Sequence, residues 1–381
     1  MKKNLTMQEK LLKFIKRQKK KTLKHALILL PITIGIMFFL NVVHKPALPI
    51  VEKDEEALVT ASFVGDMMFG RYVENITKQH GEEFIFQYVE PFFRASDYVS
   101  GNFEHPVALS DDYTEADKNI HLSAPGKSVD MLKEMNFSVL NVANNHTMDY
   151  GEHGLRDTLN LFNETNLDLV GAGRNLEDAE DTISYQNTND IRIATLGFTD
   201  VYAKGFRATE YRGGILPFDP TIFIPMIGEA SENADLVVVH AHWGQEYDND
   251  PTTRQRELAR AMSDAGADII IGHHPHVLQS MEVYNDTVIF YSLGNFVFDQ
   301  GWTRTKNSAI VQYKLLQDGS GRFEITPLNI REAQPRPLST FNWLQKKVIF
   351  RQLTKRDPGV QWQEENGKLV FEVDHSDKLK E

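Results

Sequence analysis

The chain contains no cysteine among its 381 residues. This absence excludes disulfides, thiolate metal sites, cysteine nucleophiles and a lipid-modified cysteine. Any bound metal must therefore be held by His, Asp, Glu or Asn side chains, which favours manganese, zinc, iron or a similar divalent ion. A cysteine-free chain also suits an environment outside the cell, where thiols would oxidise.

Basic residues are scarce outside the N-terminus. The whole chain has a formal net charge of -12, yet residues 1–25 hold ten Lys or Arg and a single Glu, which is a net charge of +9. The remaining chain therefore carries a net charge of -21. A body this acidic offers no broad basic surface, so nucleic acid is not an expected partner.

The only long apolar run covers residues 26–43, which are uncharged. In a helix, eighteen residues span about 27 Å, enough for a thin bilayer core. A cleaved signal peptide would need small residues after the run, and a buried helix would not need the dense basic flank. We therefore predict a cytoplasmic basic segment at 1–25, a transmembrane signal anchor at 26–43 and a linker at 44–57. The positive-inside rule then places the rest of this single-pass cell-membrane protein outside the cell.

Short apolar strands alternate with helix-like stretches from residue 58 onwards. This alternation predicts an α/β fold in which helices cover both faces of the sheet structure. The last strands have no helices between them, so part of the sheet is expected to be antiparallel. We assign residues 58–334 to one domain. Residues 335–381 form a C-terminal extension, in which Asn366-Gly367 predicts a hairpin.

Side chains of metal-ligand type follow five of the predicted strands. Taken singly, each has an ordinary explanation as a helix cap, a turn residue, a solvated acid or a packed imidazole. Together they favour one metal site, because parallel strands deliver the residues at their carboxyl ends to a common edge. Which of the three closely spaced histidines face the site is left open. In chain order the candidate ligands are Asp66, Glu104, Asn144, His242, His273, His274 and His276.

These residues lie in motifs that resemble the CapA/PgsA family of bacterial capsule-synthesis proteins, within the calcineurin-like metallophosphoesterase superfamily. The resemblance covers residues 58–330 approximately and includes the membrane anchor. It implies a four-layer α-β-β-α sandwich and two metal ions bridged by a carboxylate. The motifs are Phe63-Val64-Gly65-Asp66, Gly101-Asn102-Phe103-Glu104, Asn144-Asn145-His146, His242-Trp243-Gly244-Gln245-Glu246-Tyr247, Gly272-His273-His274-Pro275-His276-Val277 and Tyr291-Ser292-Leu293-Gly294-Asn295-Phe296.

The resemblance also implies a function in the synthesis and export of poly-γ-glutamate. The implied partners are an ATP-dependent poly-γ-glutamate ligase, small membrane subunits and the polymer itself. In the superfamily's Asn-His motif the imidazole acts as general acid, which makes His146 the candidate catalytic residue. One position departs from the pattern: Met68 stands where the superfamily's first motif has a histidine. A thioether is a poor ligand for hard dications, so we expect either one ion or a weakly occupied second site.

Two functions remain open at this stage. The chain is either a non-catalytic, membrane-anchored subunit of a polymer synthase or an active metal-dependent phosphoesterase or hydrolase of the cell envelope. Glu246 and Arg254 are candidates for orienting a substrate, and Arg304 for a basic patch that contacts the polymer. A helix-start acid and solvated bases explain these three residues equally well.

Overall fold

A computed structural model describes residues 5–43, 48–110, 112–301, 303–356 and 360–379. These residues divide into two units, Met1–Ala47 and Leu48–Glu381, the second of which we call the body. The first four residues of the predicted linker, 44–47, lie outside the described residues.

The N-terminal unit contains two helices, α1 (Met7–Lys19) and α2 (Thr22–Val43). A capping box formed by Thr6 and Glu9 starts α1, satisfying backbone N–H groups that lack a partner within the helix. The window Thr22–Phe39 of α2 is long and apolar enough to cross a membrane, judged by length and composition. The predicted span 26–43 lies within this helix, which is a candidate membrane anchor.

The body combines short helices with many strands. Its α-helices are α3 (Arg71–His80), α4 (Glu90–Arg94), α5 (Lys127–Glu134), α6 (Gly151–Thr165), α7 (Leu176–Glu180), α8 (Pro220–Asn233), α9 (Thr253–Asp264) and α10 (Trp343–Thr354). Short 3-10 helices cover Glu82–Phe86, Thr340–Asn342 and Ser376–Lys378. Its strands are β1 (Ala57–Met67), β2 (Tyr98–Phe103), β3 (Val139–Asn141), β4 (Asp168–Val170), β5 (Ala172–Gly173), β6 (Ser184–Thr188), β7 (Ile191–Thr199), β8 (Gly214–Ile215), β9 (Leu236–His242), β10 (Ile269–His273), β11 (Met281–Tyr284), β12 (Thr287–Phe290), β13 (Asn295–Val297), β14 (Asn307–Leu316), β15 (Ser320–Arg331), β16 (Gln334–Pro337), β17 (Gln363–Glu365) and β18 (Lys368–Asp374).

The strands form two main sheets and a small β5-β8 pair. The larger sheet has the order β17-β18-β15-β14-β1-β2-β3-β4, with β13 beside β1 and β16 beside β15. Its β1–β4 part is parallel, whereas β14, β15, β17 and β18 pair antiparallel, as the missing helices between the last strands predicted. The smaller sheet has the order β11-β12-β10-β9-β7-β6, and its four inner strands are parallel.

Three apolar clusters define the layers of the body. One lies between the larger sheet and helices such as α3, α5 and α6, and contains Phe103 and Leu132. The second joins the facing surfaces of the two sheets through residues such as Val311 and Ile271. The third packs α8 and α9 on the outer face of the smaller sheet, with Ile227 at its centre. The predicted four-layer α-β-β-α sandwich is thereby confirmed.

Two glycines let the strand ends approach neighbouring backbone closely. A Cβ atom on Gly65 would lie 1.9 Å from the carbonyl oxygen of Gly294, and one on Gly272 would lie 2.0 Å from that of Tyr291. Any larger residue would push the strands apart at these points. The close approach sets the positions of Asp66 and His273, which directly follow the two glycines.

The C-terminal residues are built into the larger sheet. Strands β16 and β18 both pair with β15, and β17 and β18 flank a turn at Asn366-Gly367. Helix α10 packs Ile349 and Leu353 into the apolar cluster between the sheets. The sequence analysis predicted only a hairpin in the C-terminal extension, and helix α10 was missed.

Candidate metal centre

Five buried acidic and imidazole side chains converge at the carboxyl ends of parallel strands from both sheets. They form two triads, Asp66 with Glu104 and His276, and Glu104 with His242 and His274. Within each triad the possible ligand atoms lie within 4.8 Å of one another. Glu104 belongs to both, so a single carboxylate is placed to face two ions.

Strand register brings these residues together. Asp66 pairs with Asn102 across β1 and β2, which places Glu104 just beyond the end of β2. On the other sheet, His242 and His273 pair across β9 and β10. His274 and His276 follow in backbone with φ of 91° and 57°, a region that non-glycine residues rarely occupy. Such conformations concentrate at functional sites.

Polar atoms without partners mark the centre of this cluster. Among the described residues, Oε1 of Glu104 and Nδ1 of His274 are buried and have no hydrogen-bond partner. Nε2 of His276 lies 3.7 Å from Oε1 of Glu104. A buried carboxylate oxygen without a partner is costly, and a cation facing it would remove that cost. Carboxylate oxygens and imidazole nitrogens are donors that suit a divalent ion such as manganese, zinc or iron.

The two carboxylates have opposite pKa shifts. Burial, reinforced by the nearby Asp66, raises the pKa of Glu104 well above its ordinary value. Burial also acts to raise the pKa of Asp66, but contacts with His273 and His276 outweigh it and leave that pKa well below its ordinary value. Glu104 is thus the group that most needs a neighbouring cation to become charged.

The imidazoles also divide into two kinds. Burial and the neighbouring His276 lower the pKa of His274 to about 3, and burial with His274 lowers that of His242 well below its ordinary value. Both rings are therefore neutral at neutral pH, the form that binds metals. Burial disfavours the charged form of His276 too, yet Glu104 and Asp66 outweigh it and raise its pKa to about 9.

Asparagines hold the ligand side chains in place. Nδ2 of Asn102 donates to Oδ1 of Asp66 at 2.9 Å, and the Oδ1 of Asn102 accepts from Asn141 at 2.9 Å. Nδ1 of His276 lies 2.9 Å from Oδ1 of Asn295, which leaves Nε2 turned toward Glu104. Asn102 and Asn295 lie in motifs already identified in the sequence, but no role followed from their residue type.

The predicted ligand Asn144 uses its side chain for hydrogen bonds within a turn. Its Oδ1 accepts the backbone N–H groups of His146 and Thr147 at 3.0 and 3.1 Å, and its Nδ2 donates to the carbonyl oxygen of Phe103 at 2.9 Å. With those bonds made, Asn144 shapes the turn instead of facing the cluster. The adjacent Asn145 has its Oδ1 only 2.8 Å from Nε2 of His242. The signal for Asn145 was its place immediately before His146.

His273 also has a position different from the one expected. Its Nδ1 is 3.2 Å from Oδ1 of Asp66, and its Nε2 is 2.9 Å from Nδ1 of His240. His240 in turn lies 3.0 Å from the hydroxyl oxygen of Ser100 on the other sheet. His273 therefore lies against Asp66 and belongs to neither triad, and its buried Nδ1, like that of His274, makes no hydrogen bond within the described residues. His240 was missed because a histidine in the middle of an apolar strand shows no ligand spacing.

Met68 lies in the apolar core. Its sulfur accepts the backbone N–H of Gly70 at 3.1 Å, and its side chain packs in the cluster that contains Phe69 and Phe103. It is fully buried. This position supplies no ligand, and the imidazoles that lie beside Asp66 are those of His273 and His276.

His146 borders the cluster and is paired with an acid. Its Nδ1 is 2.7 Å from Oδ2 of Asp149, and Nζ of Lys118 lies 3.1 Å from the same nitrogen. Burial lowers the pKa of His146, although Asp149 opposes that shift. The contact with Asp149 fixes the Nδ1 side of the ring.

The three predicted substrate contacts lie in different surroundings. Glu246 is exposed. Its negative charge helps to raise the pKa of Glu104, although less than burial and the charge of Asp66 do. The guanidinium of Arg254 makes two hydrogen bonds to Asp200, at 3.1 and 3.2 Å. Arg304 donates to Oδ1 of Asn249 at 2.6 Å. Of the three, Glu246 is the one with an electrostatic link to the triads.

A four-layer sandwich with two candidate ligand triads around one shared carboxylate is the arrangement that the resemblance to the metallophosphoesterases led us to expect. The chain belongs to the family described as "Bacterial capsule synthesis protein PGA_cap", whose model matches residues 60–300.

Full-length relatives agree with this assignment. The chain is 61% identical over 380 residues, covering 100% of both chains, to "PGA biosynthesis protein CapA" of Bacillus subtilis strain 168. It is 49% identical over 384 residues to "Capsule biosynthesis protein CapA" of Bacillus anthracis, covering 98% of this chain and 92% of that one. Among solved structures, a 5'-nucleotidase precursor from Thermus thermophilus has a TM-score of 0.43 at 12% identity, covering 77% of this chain and 58% of that one.

Proposed function

We propose that this chain is a membrane-anchored component of the machinery that makes and exports poly-γ-glutamate, with α2 as the anchor and the body outside the cell. The names of the full-length relatives support the pathway, and the length and composition of α2 support the anchor. The observation that carries a chemical role is Glu104, which is common to both triads and whose buried Oε1 has no partner among the described residues.

The residues fit one or two divalent ions, with manganese, zinc and iron as the candidates. Asp66, Glu104 and His276 would hold the first ion. Glu104, His242 and His274 would hold the second, with Oδ1 of Asn145 close enough to His242 to join them. When bound, a divalent ion at this site would lower the pKa of a water molecule and polarise a phosphoryl or carbonyl oxygen.

The chain's own residues would place and protonate the substrate. Asp149 fixes the His146 ring, so that Nε2 is the atom that exchanges a proton with a bound group. Burial lowers the pKa of His146 while Asp149 opposes that shift, so an approaching anion would favour the acid form of the ring. A phosphoryl or carboxylate group of the substrate would supply that charge. Glu246, exposed at the rim, is placed to orient the substrate.

The decisive experiment asks whether the polymer depends on the metal centre. Strains carrying Asp66→Ala or Glu104→Ala, with the protein at its normal level in the membrane, should produce little or no poly-γ-glutamate. Glu164→Ala changes an exposed acid of α6 and serves as the matched control, which should produce normal amounts. Normal polymer output from both site variants would refute a role for the metal centre.

An active phosphoesterase or hydrolase of the cell envelope is the second candidate, favoured by the His146–Asp149 pair beside the triads. Purified protein with Mn²⁺ should then hydrolyse a generic phosphodiester, and Asp66→Ala should abolish this activity. If no hydrolysis occurs although the polymer requires Asp66, the centre binds the polymer or maintains structure instead of cleaving a bond.

The proposed partners are an ATP-dependent poly-γ-glutamate ligase and small membrane subunits. Purification of the full chain from membranes in mild detergent should retain them in stoichiometric amounts. Their absence under conditions that preserve polymer synthesis would contradict the proposed complex.

A further inference from the structure

Exposed apolar side chains of the body are concentrated at α10. Of the eleven large apolar side chains exposed in the described body, four lie between residues 341 and 348. Phe341, Trp343, Leu344 and Val348 are 71%, 54%, 63% and 59% exposed, and we call this surface the α10 face. The opposite side of the helix is already packed in the interior. Folding of the body therefore does not account for a second apolar surface on the same helix.

The α10 face is also the basic part of an acidic body. Residues 333–356 contain six Lys or Arg and no acidic residue. Two of these cations, Lys355 and Arg356, pair with Asp250. Arg336 pairs with Glu332. In the described parts of the chain, the remaining three cations form no ion pair, and Nζ of Lys347 lies 5.1 Å from the centre of the Trp343 ring. These three unpaired cations are Lys346, Lys347 and Arg351.

The start of the body lies beside this helix. A cavity of about 400 Å³ is lined by Pro49, Ile50 and Val51 together with Leu338 and Lys346. Ile50 is itself 91% exposed. Along the chain, this segment follows the last residue of α2 by only a few positions, and each extended residue adds at most about 3.6 Å. Helix α10 thus lies, through Lys346, beside the segment with which the body begins after the candidate anchor.

We propose that the α10 face docks on the headgroup region of an anionic lipid bilayer. Aromatic residues favour the boundary between headgroups and acyl chains, and Lys or Arg beside them interact with anionic headgroups. A polyanionic polymer would pair with the cations but would leave four apolar side chains in water. A second copy docked symmetrically would cover the apolar residues but would bring like charges together. The inference rests on the proposed anchoring by α2.

The cysteine-free chain allows a direct test, because one introduced cysteine can carry a fluorophore without competing thiols. Full-length chain with Leu344→Cys, labelled with a polarity-sensitive dye, is reconstituted into phosphatidylcholine vesicles with and without phosphatidylglycerol. Ile224→Cys, an exposed apolar position on α8, is the matched control. With phosphatidylglycerol, the dye at 344 should shift to the blue and be quenched by spin-labelled lipids, whereas the dye at 224 should be quenched only by aqueous iodide. The triple variant Lys346→Gln, Lys347→Gln, Arg351→Gln should lose the lipid quenching.

Other outcomes would overturn the proposal. Equal access of iodide to positions 344 and 224 would show that the face is in water. Protection from iodide without lipid quenching would indicate a protein cover, either a partner or a second copy. Equal lipid quenching without phosphatidylglycerol would refute the requirement for anionic lipid. Carbonate extraction of the same chain tests α2 separately, since an anchored chain stays in the membrane whether or not the α10 face docks.

Discussion

The two triads share Glu104 but combine it with different side chains. The first adds a carboxylate and an imidazole, Asp66 and His276, whereas the second adds two imidazoles, His242 and His274. The pKa of His276 is raised to about 9, so an ion must displace its proton, while the pKa of His274 is lowered to about 3 and its ring is already neutral. We therefore predict that the second triad would bind an ion more readily than the first at neutral pH.

The largest effect is expected at the shared carboxylate. Glu104→Gln removes the charge common to both triads while keeping the shape of the side chain. Metal analysis by mass spectrometry should find almost no bound divalent ion. Retention of a full ion by this variant would show that one triad acts without Glu104, and the comparison of two linked triads would fail.

Variants that change a ligand of only one triad should distinguish the metal binding of the two triads. Asp66→Asn should leave about one ion per chain, bound in the second triad. His242→Gln should leave an ion in the first triad that is lost more easily on dialysis, because binding there requires that His276 release its proton. Isothermal titration with Mn²⁺ measures both affinities. Equal retention by the two variants would remove the distinction between the triads.

A smaller loss is expected behind the ligands. Asn102→Ala removes the donor to Asp66 and should weaken metal binding by about 10–100-fold, as changes beside metal ligands generally do. Asn163→Ala, at an exposed asparagine of α6, is the control and should bind metal normally. If Asn102→Ala binds as tightly as the control, Asp66 is held by its other contacts alone.

The smallest effect is expected at Met68. Because its side chain packs in the core, Met68→Leu should cost less than about 1.5 kcal/mol of unfolding free energy and leave metal content unchanged. Thermal unfolding and metal analysis on one sample check both statements. A drop in bound metal without loss of stability would mean that the thioether contributes to the first triad.

Strand ends could be predicted from the sequence because short apolar runs closed by polar residues have few other interpretations. This reasoning, together with the motif resemblance, identified Asp66, Glu104, His242, His274 and His276, all of which the structure brings together. It could not decide whether Asn144 or Asn145 lies closer to the ligands, and it could not exclude His273 from the set of candidate ligands. Those choices depend on which hydrogen bonds each side chain makes with the backbone. Neighbouring residues in a turn can make different hydrogen bonds, and only the three-dimensional structure shows which.

The fold could be predicted for the part of the chain in which short apolar strands alternate with helices. The layers followed from that alternation and the resemblance, but α10 was missed although Leu344, Val348 and Ile349 have helical spacing. Six cations in residues 333–356 obscured this spacing. Buried contacts such as the His240–His273 pair could not be predicted either. They join neighbouring inner strands or the two opposite sheets, and neither case produces a recognisable spacing in the sequence.

The position of β1 has a consequence for how the body is completed. This first strand lies between β2 on one side and β14 with β13 on the other, so its second edge is covered only by residues 307–316 and 295–297, more than 220 positions further along the chain. Pairing across such a separation is slow, and until it occurs the strand that carries Asp66 has an open edge that other chains could join. The metal centre can therefore mature only when nearly the whole chain is present in one compartment, which couples its assembly to the end of synthesis and transport.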